Sequence, residues 1–75
     1  MNKARKAKLE SILNKIEDLK TELETVRDDE QEYMDNMPEN MQDGEKYDRA
    51  QEAVGVMDSA IDNLDNAVNE LTDIE

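Results

Sequence analysis

Carboxylates are the side chains of this sequence with the most evident capacity for chemistry. The chain has 21 Asp and Glu residues against 9 Lys and Arg, which gives a formal net charge of -12. Paired acids catalyse glycoside cleavage only where a cleft keeps one of them protonated. The sequence has no His and no Cys, which removes imidazole catalysis, thiol nucleophiles and zinc sites of the Cys/His kind. We expect no enzymatic activity and no cofactor.

Carboxylates are also the usual ligands of calcium in proteins. The run Asp58, Asp62, Asp65 and Glu70 has the composition of such a site. An EF-hand loop, however, needs oxygen ligands at alternate positions and a glycine at the sixth position. That spacing is absent, so we expect no metal site.

The acids of the second half instead form a stripe along one predicted helix. On a helix, residues three or four apart lie about 5 to 6 Å from each other, close to the phosphate spacing of a nucleic-acid strand. Two interpretations stay open, a solubilising face and a nucleic-acid mimic. Gly55 and Val56 interrupt the stripe with an uncharged gap where another molecule can approach. The acidic stripe comprises Asp48, Glu52, Asp58, Asp62, Asp65 and Asp73.

A seam of apolar residues predicts the helix that carries the stripe. Its members alternate in steps of three and four, as in the core positions of a coiled coil. A row of small residues, Ala53, Ala60 and Ala67, widens this apolar face and ends at Ile74. The seam comprises Tyr47, Ala50, Val54, Met57, Ile61, Leu64, Val68 and Leu71.

The first half of the chain predicts a second long helix with the same spacing. Neither Gly nor Pro occurs between Lys3 and Asp35, whereas Pro38 and Gly44 mark a loop. In this loop Asp43 is a candidate cap for the second helix. The predicted limits are 3–35 and 45–74 for the helices and 36–44 for the loop, in one domain, 1–75. The first seam comprises Leu9, Ile12, Ile16, Leu19, Leu23, Val26 and Tyr33.

Together the two seams predict an all-α fold, a two-helix antiparallel coiled-coil hairpin. The loop position predicts that Tyr33 faces Tyr47, Val26 faces Val54, Leu19 faces Ile61 and Ile12 faces Val68. Leu13 and the Ala53, Ala60, Ala67 and Ile74 row extend the apolar surface beyond one partner helix. We therefore expect a homodimer that forms a four-helix bundle.

The charge of the chain indicates its partners. Residues 28–75 carry 16 acidic and 2 basic side chains, so direct binding to nucleic acid or to an anionic membrane is unfavourable. A basic protein surface is the expected partner. The sequence has no apolar run long enough for a membrane span or a signal peptide, and we expect a cytoplasmic protein.

Three segments resemble small acidic helical proteins encoded by phages and prophages of Gram-positive bacteria, which usually lack an assigned activity. The likeness covers about residues 30 to 70, and no catalytic residue is carried over. It implies a phage or mobile-element accessory role, in the host cytoplasm. The segments are PENMQ at 38–42, EKYDRAQEA at 45–53 and AIDNLDNAV at 60–68.

Two functions are compatible with these observations. The first is an inhibitor that occupies a basic nucleic-acid-binding surface of a host defence or regulatory factor, in the manner of anti-CRISPR proteins or DNA mimics. The second is a structural module that self-associates into a bundle, as in a virion or scaffold component. For the first function the expected partner-binding residues are Asp58, Asp62, Asp65, Glu52, Asp48, Gly55 and Val56.

Overall fold

The computed structural model describes residues 1–74 and contains two long helices. Helix α1 is Lys3–Asp35 and helix α2 is Glu45–Asp73, with one turn of 3-10 helix, Glu39–Met41, between them. No strand occurs within residues 1–74, so the prediction of an all-helical chain with two helices is confirmed. The helix limits agree with the expected ones to within one residue. Glu75, the end of the expected domain, lies outside the described residues.

The two helices run antiparallel as a narrow hairpin. Lys20 of α1 pairs with Asp65 of α2, and Arg27, one heptad later, pairs with Asp58, one heptad earlier. The Cα atoms extend over 59 Å in one direction and over 15 and 12 Å in the others. This length is close to the roughly 50 Å of a straight helix of this size, so the hairpin is one helix long and two helices wide.

Local sequence accounts for where the helices begin. The side chain of Asn2 caps α1, since its Oδ1 accepts a hydrogen bond from the N–H of Arg5 at 2.8 Å, a strong start signal. Gly44, rather than Asp43, is the N-cap residue of α2. Gly44 has φ -89°, so no left-handed backbone conformation requires glycine there. A Cβ on Gly44 would lie 3.2 Å from the carbonyl oxygen of Met41, and this tight approach is what favours glycine there.

The core is small and lies at the loop end of the hairpin. Met34, Ala50 and Val54 form a buried cluster against which Tyr47 packs. Met37 is also buried, whereas Met41 and Tyr33 are exposed. The apolar side chains that close the loop end are therefore Met34, Met37 and Tyr47. Toward the open end Leu13 is the one buried apolar side chain of α1. The other apolar side chains between the helices there are half-buried.

The rotation of α1 about its axis differs from the prediction. One row that faces α2 is Leu13, Lys20, Arg27 and Met34, which we call the inner row. Half of the seam expected to face α2 is instead exposed, and we call that half the outer row, whereas Leu9, Ile16 and Leu23 of the same seam are half-buried. The expected facing pairs, Val26 with Val54 among them, are therefore wrong. The outer row comprises Ile12, Leu19, Val26 and Tyr33.

Candidate interaction surfaces

Two charged residues of the inner row take part in the contact with α2. Lys20 Nζ is 2.5 Å from Asp65 Oδ1, and Arg27 Nε is 2.7 Å from Asp58 Oδ1. The basic and the acidic residues each recur after seven positions, so the two pairs repeat along the hairpin. Lys and Arg also cover apolar surface with their aliphatic stems; 25% of the Lys20 side chain and 30% of the Arg27 side chain remain exposed.

These ion pairs change the interpretation of the acidic stripe. Asp58 and Asp65 belong to the acidic stripe, and both have a basic partner on the other helix. Each is half-exposed and paired across the hairpin. The sequence signal that reveals the pairing is the shared spacing of seven between Lys20 and Arg27 and between Asp58 and Asp65. Asp58 and Asp65 thus contribute to the register of the helices.

The pairing favours the charged forms of both bases. The hydrogen bond to Asp65 raises the pKa of Lys20 above its ordinary value of 10.5, although partial desolvation opposes the shift. The hydrogen bond to Asp58, followed by that to Asp28, raises the pKa of Arg27. Both bases remain protonated over the neutral range, so the two pairs persist there.

The remaining expected binding residues lie on the outward face of α2. Asp48, Gly55 and Asp62 recur every seven residues and so share one row of the helix. These three residues, with Glu52 and Val56, are all exposed. Val56 is 63% exposed, the highest value among the large apolar side chains of residues 1–74, and a Cβ on Gly55 would meet no atom within 4 Å. The structure therefore brings these residues together on a surface open to solvent, and Asp58 and Asp65 border it.

The outer row of α1 is the larger apolar surface. Its four side chains are between 41% and 58% exposed. They recur every seven residues and therefore form a straight line beside the half-buried Leu9, Ile16 and Leu23. Sequence reasoning identified these residues as a packing seam but assigned them to the contact with α2. A regular line of large apolar side chains on the surface is typical of an interface.

The ion pairs and the outer row lie on different sides of the hairpin. The inner and outer rows differ by one residue, which corresponds to 100° around α1. On α2, Ala60 and Ala67 each lie two residues after the paired aspartates, about 160° away around the helix. The half-buried Ala53, Ala60 and Ala67 therefore lie on the same side of the hairpin as the outer row. The surface expected to extend the apolar face is present, but Leu13 is not part of it because it is buried.

The structure shows neither a cavity nor a candidate metal site within residues 1–74. In the same residues, neither helix has a stretch with the length and hydropathy of a membrane span. No family model matches this sequence, and comparison with curated proteins and with solved structures gives no match either.

Proposed function

We propose that this chain is a non-enzymatic interaction module that binds another helix through the outer row of α1. The observation that carries the proposal is the rotation of α1. Two charged side chains face α2, while Ile12, Leu19, Val26 and Tyr33 face outward. The function is the structural or assembly role considered above, of the kind found in virion or scaffold components.

The energetics of the two rows support this proposal. Burial of an apolar side chain stabilises by about 1.5 to 3 kcal/mol, so a hairpin selected to be stable alone would turn its most apolar row inward. Instead, within residues 1–74 the outer row has no partner, although the rows beside it on α1 pack against α2. A helix with apolar residues on more than one side is typical of the inside of a larger bundle.

A capture experiment tests the proposal directly. Three proteins would be immobilised: the parent chain, the double variant Leu19→Ser with Val26→Ser, and the control variant Val56→Ser. Each would be exposed to an untagged copy of the chain and to a lysate of a Gram-positive bacterium in about 0.5 M NaCl, where exposed charges are screened. We expect the double variant to lose binding to the copy or lysate protein that the parent captures, and the control variant to retain this binding. Equal capture by the double variant and the parent would refute the proposal.

The second candidate function is occupation of a basic nucleic-acid-binding surface, as by a phage-encoded inhibitor of a host factor. The exposed acids of α2 favour it, with Asp48, Glu52 and Asp62 beside the uncovered Gly55 and Val56. A basic surface that binds nucleic acid attracts such an acidic face, and the range of this attraction shortens as the salt concentration rises. A phage or mobile-element accessory role, as in the proteins that the chain resembles, fits either candidate.

Charge-matched variants distinguish this candidate from the first. The triple variant Asp48→Asn, Glu52→Gln and Asp62→Asn leaves the cross-helix pairs intact. A control variant on α1 with the same change in net charge carries Glu10→Gln, Asp18→Asn and Glu32→Gln. For the second candidate, capture from the lysate in about 0.05 M NaCl should be lost only with the changes on α2. Equal loss with both variants would indicate an effect of net charge alone and would contradict the candidate.

A further inference from the structure

We infer that the partner of the outer row is α1 of a second copy of this chain, packed antiparallel across a two-fold axis. The inference rests on the proposed interaction role of the outer row and adds the identity and direction of its partner. The distribution of charge on α1 carries it, first along the whole helix and then among the exposed residues that flank the outer row.

The two halves of the N-terminal segment have opposite charge. Residues 1–20 contain six basic and three acidic side chains, whereas residues 21–35 contain one basic and seven acidic side chains. An antiparallel pair places the basic half of each copy against the acidic half of the other. A parallel pair would place like charges together, and the acidic halves would repel each other. Complementary charge of this kind selects the partner and its direction.

The residues that flank the outer row repeat this polarity beside the contact itself. Lys8, Lys15, Glu22 and Asp29 each lie three or four residues from a member of the outer row and so adjoin it on the helix surface. All four are exposed. Along this flank the order is two bases followed by two acids.

In an antiparallel packing with its two-fold axis near residue 21, the outer rows come into contact and opposite charges lie side by side. Leu19 then faces Leu23 of the second copy, and Val26 faces Ile16 of the second copy. Lys15 comes beside Asp29 of the second copy, twice by symmetry. Glu22 meets its own copy near the two-fold axis, the one like-charged contact on this flank. The contact extends from Ile12 to Tyr33, about 32 Å along the helix.

The half-buried alanines of α2 make room for this packing. Ala53, Ala60 and Ala67 lie on the same side of the hairpin as the outer row, and small side chains allow a neighbouring helix to approach closely. The α1 helix of the second copy therefore rests against α1 and borders α2. The assembly is a four-helix bundle with the two α1 helices at its centre.

A charge exchange within the flank tests the direction of packing. The variants are Lys15→Glu, Asp29→Lys and the combination of both, and sedimentation equilibrium in about 0.15 M NaCl gives the mass of each. The parent should reach twice the chain mass of 8.6 kDa at about 100 μM. Each single variant should raise the dimer dissociation constant on the order of tenfold, since attraction becomes repulsion at two symmetric sites. The double variant should restore the parent value.

This design separates pairing from net charge. Asp29→Lys makes the chain less negative, so general repulsion alone would strengthen the dimer, whereas the antiparallel contact predicts weakening. The double variant has the net charge of the parent. Circular dichroism at each concentration verifies that the helices are retained.

Three outcomes overturn the inference. A parent that stays monomeric removes the second copy as partner, although the capture experiment with Leu19→Ser and Val26→Ser can still succeed with another protein. A dimer that is indifferent to the charge exchange excludes the antiparallel direction. A dimer that Leu19→Ser with Val26→Ser leaves unchanged refutes the outer row as the interface, and with it the proposed function.

Discussion

Gly55, a single residue in the middle of α2, has no evident structural requirement for being glycine. A Cβ there would meet no atom within 4 Å, and no glycine in residues 1–74 has a positive φ. Glycine within a helix costs roughly 0.5 to 1 kcal/mol relative to alanine because of its backbone entropy. The hairpin itself therefore gives no reason for glycine at this position.

Replacement of Gly55 provides a direct prediction. We expect Gly55→Ala to raise the free energy of unfolding by roughly 0.5 to 1 kcal/mol, measured by urea denaturation. Gly44→Ala is the matched control, since its Cβ would lie 3.2 Å from the carbonyl oxygen of Met41 and should give no such gain. A loss of stability with Gly55→Ala would contradict the open surroundings of this residue.

The Lys20–Asp65 pair predicts a specific dependence on pH. Because the pKa of Lys20 is raised in the folded state, the pair stabilises fully below the unfolded-state pKa of 10.5. This stabilisation is then lost as the pH rises through the folded-state pKa. The parent should melt slightly above Asp65→Asn at about pH 8, and the difference should shrink as the pH rises beyond 10.5. A difference that persists unchanged at the higher pH would show that the contribution of Asp65 does not depend on the charge of Lys20.

At the scale of the helices, sequence predicted the elements but not their rotation. Heptad spacing and the positions of Pro38 and Gly44 determine where each helix begins and ends, because these are local effects. The rotation of α1 depends on which of two adjacent rows packs against α2, and both rows are compatible with packing. Apolar content favours the outer row, but the partners available on α2 for Lys20 and Arg27 favour the inner row. Such long-range pairing is not visible in the periodicity of one helix. For the same reason, the acidic stripe alone does not reveal that Asp58 and Asp65 pair with bases of α1.

Truncation of one side chain in each row measures the rotation. We expect Met34→Ala to cost about 2 to 5 kcal/mol, the usual range for a buried side chain of this size, since Met34 is 4% exposed. Leu19→Ala should cost under about 1 kcal/mol in dilute solution, because Leu19 is 58% exposed there. Chemical denaturation at low micromolar concentration provides both values. A larger loss with Leu19→Ala than with Met34→Ala would restore the register expected from the seams.

At the scale of the whole molecule, the net charge of -12 opposes both folding and self-association. The acidic loop end of one hairpin repels that of another, and the ion pairs across the helices offset only part of this repulsion. Salt screens such interactions between exposed charges. The assembly proposed for the outer row therefore has to overcome a repulsion that depends on ionic strength.

Salt should consequently stabilise this chain. Between about 0.01 M and 0.5 M NaCl we expect the melting temperature to rise and the dimer to tighten, because the screened repulsion exceeds the weakened ion pairs. Binding to a basic surface through the acidic face should weaken over the same range. A melting temperature that falls with added salt would show that the ion pairs dominate the electrostatics of the hairpin.

The central claim is that the outer row is exposed in the single hairpin and covered in its assembly. Because the chain has no Cys, Leu19→Cys introduces a unique thiol, and the rate of its alkylation reports exposure at that position. We predict a fast rate at about 1 μM protein that falls several-fold by about 200 μM, while Val56→Cys on α2 reacts at a rate independent of concentration. A slow rate at both concentrations would contradict the rotation of α1, and a fast rate at both would contradict the covered interface.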